Sequence, residues 1–251
     1  KNSSTYVGWS WKAGGSASSN SDGNITSSVS VNTTAGFSIV SYTGTGGGKT
    51  VGHGLGVAPR VFFMKNRGSA DYNWSVWHAD LATPTTARLG LNVATAQQNH
   101  SSYWNDGVPS ATILNLGSDA GHNANGDTYI AYCFAEKKGY SKFRTYQGSA
   151  NDDGPFIYTG FAPAFVMVKC FNQGEHWNIY DNKRGSSLAL SPNLENADRA
   201  MDDSPAMELL SNGFKIRTSD ANLSHTSGSF IYMAFAENPF VTSTGVPATA
   251  R

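Results

Sequence analysis

Cysteine is almost absent from this chain. Two thiols, Cys133 and Cys170, stand among 251 residues, which excludes a disulfide framework and metal sites built on paired thiolates. Charge is scarce as well, at 14% of residues, and Lys+Arg 18 balances Asp+Glu 18. With zero net charge and a pI near 7.2, the chain has no electrostatic footprint for DNA, RNA or anionic lipid. No apolar run approaches the roughly 18 residues that a spanning helix needs, and the opening Lys1-Asn2-Ser3-Ser4 has no signal-peptide hydrophobic region. The initiator Met is missing, as expected of a piece excised or processed from a longer product. Helical periodicity is nearly missing too: the best helical candidate, Asn193 to Leu210, is bracketed by Pro192 and Pro205 and has too few apolar residues for an amphipathic face. What is present is 39% hydrophobic and 12% aromatic content, enough to bury a core and to exclude disorder of the whole chain.

The chain also contains an internal copy of itself. The stretch from Phe37 (FSIVSYTGTGGGKTVGHGLGVAPRVFFMKNRGSADYNWSVWHAD) recurs from Tyr140 (YSKFRTYQGSANDDGPFIYTGFAPAFVMVKCFNQGEHWNIYDNK). Tyr42, Gly44, Gly56, Ala58, Pro59 and Lys65 meet Tyr146, Gly148, Gly160, Ala162, Pro163 and Lys169; after a one-residue deletion, Trp74 and Trp77 meet Trp177 and Tyr180. Both copies close alike, with Ser118-Asp119-Ala120 recurring as Ser219-Asp220-Ala221 and Phe134-Ala135-Glu136 as Phe235-Ala236-Glu237. A partial third copy, Thr5 to Trp11, matches only the closing strand (Thr128 to Phe134), so Thr5 to Ala13 reads as an orphan strand that must pair with a sheet in this chain or in a neighbour. Residues 14–36 read as a Ser/Asn/Gly-rich linker with one short alternating strand at Ile25 to Val31. Apolar runs of five to eight residues between Gly, Asn, Asp and Pro clusters predict an all-β protein: two tandem antiparallel β-sandwich, jelly-roll-like domains from an internal duplication, over 37–138 and 139–251, behind the leading 1–36.

Period-two alternation then sorts faces. Ile130, Tyr132 and Phe134 share the core side of a strand, matched by Ile231, Met233 and Phe235, while Cys133 opposite them sits in a small-residue slot as a buried free thiol. Arg60 to Lys65 and Ala164 to Lys169 are apolar on both faces and should be central strands, covered on both sides. Trp74 and Val76, like Trp177 and Ile179, point to the core, which turns Trp77 and Tyr180 the other way. A repeated outward aromatic suits stacking on a sugar ring, with His78, Asp80, Asp181 and Asn182 nearby to bind hydroxyls. The alternative is that both rings pack under a loop or against the adjacent repeat and that the polar residues cap turns.

Catalytic motifs are lacking: there is no G-x-S-x-G elbow, no phosphate loop and no H-E-x-x-H pair. The Gly44 to Lys49 run (GTGGGK) reads as a hairpin loop, and the clusters Asp152-Asp153 and Asp202-Asp203, which do not recur in the other copy, read as solvated turns. The six histidines show no metal-ligand spacing, so no metal and no cofactor are expected.

Several runs, among them SNSDGNITSSVSVNTTAGFSIVSYTGTGGGKTVGHGLGVAPR, GDTYIAYCFAEKKGYSKFRTYQG, DDGPFIYTGFAPAFVMVK, LLSNGFKIRTS and GVPATAR, resemble a repeated β-domain found in tail-fibre and other virion proteins of tailed bacteriophages, especially marine ones. The resemblance implies a structural protein of the virion surface, near the C-terminal end of a fibre or spike that touches the host, and carries over no catalytic residue. The expected function is non-enzymatic recognition of a host-surface glycan or receptor by a homo-oligomer, a trimer being favoured, in contact with other virion proteins. A purely structural capsid-decoration or shaft role is the alternative, ahead of a polysaccharide depolymerase. Neither nucleic acid nor membrane insertion is expected.

Overall fold

A computed structural model describes residues 6–185, 188–200 and 206–237; the Asp202-Asp203 pair, Thr5 and the tail after Glu237 lie outside them. The protein is all-β, with every named strand pair antiparallel. The first half contains β1 (Ser18–Asn20), β2 (Ser27–Asn32), β3 (Phe37–Thr43), β4 (Lys49–Gly52), β5 (Val61–Asn66), β6 (Ser75–His78), β7 (Ala87–Gly90), β8 (Gln98–Asn99), β9 (Ile113–Leu116) and β10 (Thr128–Phe134). The second contains β11 (Ser141–Gln147), β12 (Phe156–Tyr158), β13 (Pro163–Cys170), β14 (Asn178–Asp181), β15 (Leu188–Ala189), β16 (Arg199–Ala200), β17 (Met207–Leu210), β18 (Gly213–Ile216) and β19 (Ser229–Ala236). Among the described residues there are also three one-turn helices: α1 (Ser101–Trp104), α2 (Ala120–Asn123) and α3 (Ala221–Ser224).

Each half has a main sheet and a small outer sheet. The main sheets run β1-β2-β3-β10-β5-β6-β7-β8 and β11-β19-β13-β14; the outer ones are β4-β9 and β12-β18-β17. The both-faces-apolar strands β5 and β13 are central, as their composition demands, and so are the closing strands β10 and β19. Between main and outer sheet each half has its own core: Phe62, Met64, Trp104, Tyr129, Ala131 and Cys133 in the first, Val166, Val168, Phe214, Phe230 and Tyr232 in the second. Cys133 and Cys170 are both free and buried, in separate cores.

The other faces of the two main sheets turn toward each other. They build a third core from seven buried residues of the first half, including Val61, Val76 and Phe134, and nine of the second, including Phe165, Trp177 and Phe235, so neither half can be removed without exposing the other. At about 1.5–3 kcal/mol for each fully buried large apolar side chain, this shared layer is a main source of cohesion. Polar bonds cross it at its margin, where Trp177 Nε1 donates to Gly90 O (2.8 Å), Gln97 N to Phe171 O (2.6 Å) and Lys169 Nζ to Ala94 O (3.1 Å).

Three regions differ from their sequence reading. Residues 6–13 are not a paired strand: they form an arm without ladder bonds, held by Asn32 Nδ2 donating to Lys12 O and by Trp9, Trp11 and Ala13 packed on the shared core. Alternation predicted the buried side of the arm but not its lack of a partner strand, while Val7 stays exposed. The stretch 14–36 is no mere linker, since β1 and β2 extend the first main sheet and Ile25 bridges to Val51 on the outer one. The described part of Asn193 to Leu210 contains strand, not helix, because its backbone groups find partners in β15 and β18.

Candidate functional site

The six residues singled out from sequence divide into three groups, none forming a surface platform. Trp77 is 3% exposed; its ring stacks on Phe62 at 5.4 Å and its Nε1 donates to Pro84 O (2.8 Å). Tyr180 is fully buried in the second-half core. These rings do point away from Trp74 and Trp177, but the side they point to is the half's own core, so a sugar has no access to them. Asp181 and Asn182 shape a turn: the Asp181 carboxylate accepts from Lys183 N, Arg184 N and Arg184 Nε (2.7 Å), and Asn182 N donates to Ala164 O. Burial alone would raise the Asp181 pKa, but the bonds from Arg184 and Lys183 outweigh it and hold the carboxyl below its ordinary range.

His78 and Asp80 join an ionic knot where the halves meet. Arg60 pairs with Asp80 and lies 3.8 Å from Glu136, which also pairs with Arg144. The same Glu136 carboxylate accepts Phe143 N (2.7 Å), and Arg60 Nε donates to Phe143 O (3.2 Å). The outer edge of β11 is thereby capped by charge instead of by a strand, a known protection against edge pairing. His78 Nδ1 accepts from Asp80 N, and burial pushes its pKa down to about 4, opposed by the Asp80 carboxylate and assisted by Arg60.

A grouping that sequence gave no hint of is Ser75, His122 and Asp119. Ser75 Oγ lies 2.9 Å from His122 Nε2, and His122 Nδ1 lies 3.3 Å from Asp119 Oδ1, the order of a Ser-His-Asp triad. Its setting is wrong for nucleophilic catalysis. Ser75 and His122 are buried, His122 is packed on Trp104 (4.4 Å), and Ser75 Oγ already accepts from Arg88 Nη1 (3.1 Å). Burial first, then the Arg88 charge, lowers the His122 pKa to about 3, far too weak a base to activate a hydroxyl near neutrality. Among the described residues no group of three or more His, Cys, Asp or Glu could hold a metal ion.

Besides a polar hollow lined by Ser28, Ser41, Arg67 and Thr128, two accessible surfaces are rich in aromatic side chains. Phe156 (46% exposed) and Tyr158 (60%) stand side by side on the outer face of β12. Beside Tyr158 lies a hollow of about 400 Å³ whose walls include Glu136, Ser141, Lys142 and Thr159, and Lys142 Nζ sits 5.1 Å from the Tyr158 ring centre. Alternation around Ile157 could have pointed to this pair. The second is an open apolar cleft of about 420 Å³ between the two main sheets, with Trp9 and Trp11 of the arm on its wall and no charged side chain among the described residues that line it.

No curated protein and no solved structure matches the chain. A family model matches residues 1–239, through the arm and both halves, and by that match the chain belongs to DUF7483, a domain of unknown function.

Proposed function

We propose that this chain is a non-enzymatic structural module of a tailed-phage virion, a stiff piece of a tail fibre or spike, built by internal duplication as two tandem antiparallel β-sandwiches of jelly-roll-like form. One observation carries the reading: the candidate rings Trp77 and Tyr180 are packed into the cores of their halves, Asp80 and Asp181 are held in ion pairs, and a further core is shared by both halves. Such a unit transmits load and holds orientation, which is what a shaft or spike module must do. The sequence resemblance supplies the particle. Antibody raised against the purified chain should decorate an appendage of the phage by electron microscopy, and the chain in solution should have the mass of a trimer. Absence of the chain from purified particles by mass spectrometry overturns the assignment.

Phe156 and Tyr158 favour a second reading, recognition of a host-surface glycan or receptor. Two adjacent exposed rings beside a polar hollow suit the apolar face and hydroxyl rim of a pyranose. A glycan array probed with the chain, and with a Phe156→Ala, Tyr158→Ala double variant, tests it: a glycan bound by the former and lost by the latter supports it, and no bound glycan removes it.

A further inference from the structure

We propose that the hollow beside Tyr158 takes a negatively charged sugar unit, with the anionic group on Lys142 and Lys138 and the sugar ring on Tyr158. The inference rests on the glycan reading of Phe156 and Tyr158 and names the class of glycan. Charge decides that class. The hollow is open, about 400 Å³ in volume, and its charged walls are Glu136, Lys138 and Lys142. Glu136 is already neutralised, by Arg144 and, at 3.8 Å, by Arg60. Neither lysine forms an ion pair with any described residue. Lys142 Nζ gives one N–H to Tyr158 O (3.0 Å) and stands 5.1 Å from the Tyr158 ring centre, which leaves its other two N–H groups for a ligand beside the ring. Lys142 is partly buried, so less water screens its charge and an anion gains more there than at a fully solvated ammonium. Phe156, two residues earlier on the same face of β12, extends the platform by about 7 Å, room for the next sugar of a chain.

The first half supplies a comparison within the same molecule. At the positions of Lys142 and Tyr158 it has Ser38, which is fully buried, and Gly54. There the chain itself runs along β4, with Ile25 N donating to Thr50 O (3.0 Å). Cation and ring therefore occur together in the half whose outer strand is uncovered, and both are missing where that strand is covered. The Tyr158 carbonyl does not by itself account for Lys142, since water serves the carbonyls of exposed strands, and it does not account for Lys138 at all.

The test is calorimetric titration of the full chain with oligogalacturonate, oligosialate and phosphomannan. Each is paired with its uncharged form, carboxyls reduced to alcohols or phosphate removed by phosphatase, and polyglutamate supplies carboxylates without a sugar ring. Expected is that at least one charged saccharide binds about tenfold or more tighter than its uncharged form and weakens as salt is added; which one binds separates carboxylate from phosphate. Lys142→Gln and Lys138→Gln should remove most of that preference while leaving the uncharged form bound as before. Tyr158→Ala should weaken both forms, and Lys183→Gln, on an exposed lysine away from the hollow, should change neither. Lys138 and Tyr158 are exposed, so their variants keep the test decisive even where Lys142→Gln disturbs folding. Charged and uncharged saccharides bound equally would overturn this inference and leave the glycan reading standing, whereas no saccharide bound would remove both. Polyglutamate bound as tightly as the sugars, or a preference for charge that survives both lysine variants, also overturns it.

Discussion

The two halves solve the same packing problem and differ mainly in what they do with polar groups. Tyr42 OH donates to His122 O (2.7 Å) and Tyr146 OH to Leu223 O (2.9 Å), each tying β3 or β11 to a one-turn helix capped by an Asp, Asp119 or Asp220. Each tyrosine stacks on the closing strand, Tyr42 on Tyr129 at 5.0 Å and Tyr146 on Phe230 at 4.8 Å. Gly44 and Gly148 follow for a shared reason: a Cβ would stand 2.2 Å from Ala124 O in one and 2.2 Å from His225 O in the other. Elsewhere the halves part. The Ser75–His122 contact corresponds to Asn178 and Leu223, so an equivalent corner closes without any triad; the contact is a local way of filling space.

The outer strands part further. At Gly52 a Cβ would meet Asn20 Oδ1 at 1.6 Å, because residues 20–27 run along β4; the corresponding residue on β12 is Phe156, and two residues on Gly54 answers to Tyr158. The first half covers this face with its own chain, while the second leaves two aromatic rings in solvent and satisfies the neighbouring carbonyls of Gly154 and Tyr158 with Lys215 and Lys142.

The largest expected effect concerns the paired tryptophans. Trp177→Ala removes a 2% exposed ring and its bond to Gly90 O and should cost about 3–5 kcal/mol in denaturant unfolding; half-buried Trp74, on the cleft wall, should cost under about 2 kcal/mol. Equal losses would mean that the cleft closes in solution. Next comes acid. Buried histidines at these corresponding sites belong to the first half alone, opposite Asp181 and Leu223. A histidine that titrates at 6.5 when unfolded and about 4 when folded binds its proton more readily unfolded, so its stabilisation is complete above pH 6.5 and is lost as pH falls toward 4. His78 should contribute roughly 3 kcal/mol of this loss, and since burial lowers the His53 pKa as well, His122→Leu should remove about a third of the histidine part of the slope. Smaller again, Tyr42→Phe and Tyr146→Phe should each cost about 1 kcal/mol, measured by chemical denaturation; a loss confined to one half would break the correspondence between them. Smallest is Ser75, which should take up no fluorophosphonate label by mass spectrometry, whereas labelling would show that its burial opens in solution.

Much of this fold was legible from residues because β-branched and aromatic runs, the doubled Tyr-Gly and Ser-Asp-Ala signatures, and the two-faced apolar strands each have one physical cause. The sites were not. Alternation says that Trp77 opposes Trp74, but it cannot tell solvent from a second core, and here each main sheet is covered on both faces. The Ser-rich stretch 14–36 misled for a related reason, since its hydroxyls satisfy backbone groups, as Ser27 Oγ does at Gly52 O and Ser30 Oγ at Gly15 O, where composition suggested a solvated linker. The Ser75–His122 contact joins residues far apart in sequence, and nothing local in either segment announces the other.

The arm has a mechanical meaning. Strands β10 and β19 are hydrogen-bonded on both sides, so force along them must shear two ladders at once. Trp9 and Trp11 are held instead by edge contacts with Phe165, Phe134 and Phe235 at 5.2–5.9 Å. Tension entering from the N-terminal side therefore peels one indole at a time and stretches the arm before any sheet is loaded, giving the molecule a compliant first stage ahead of a rigid body.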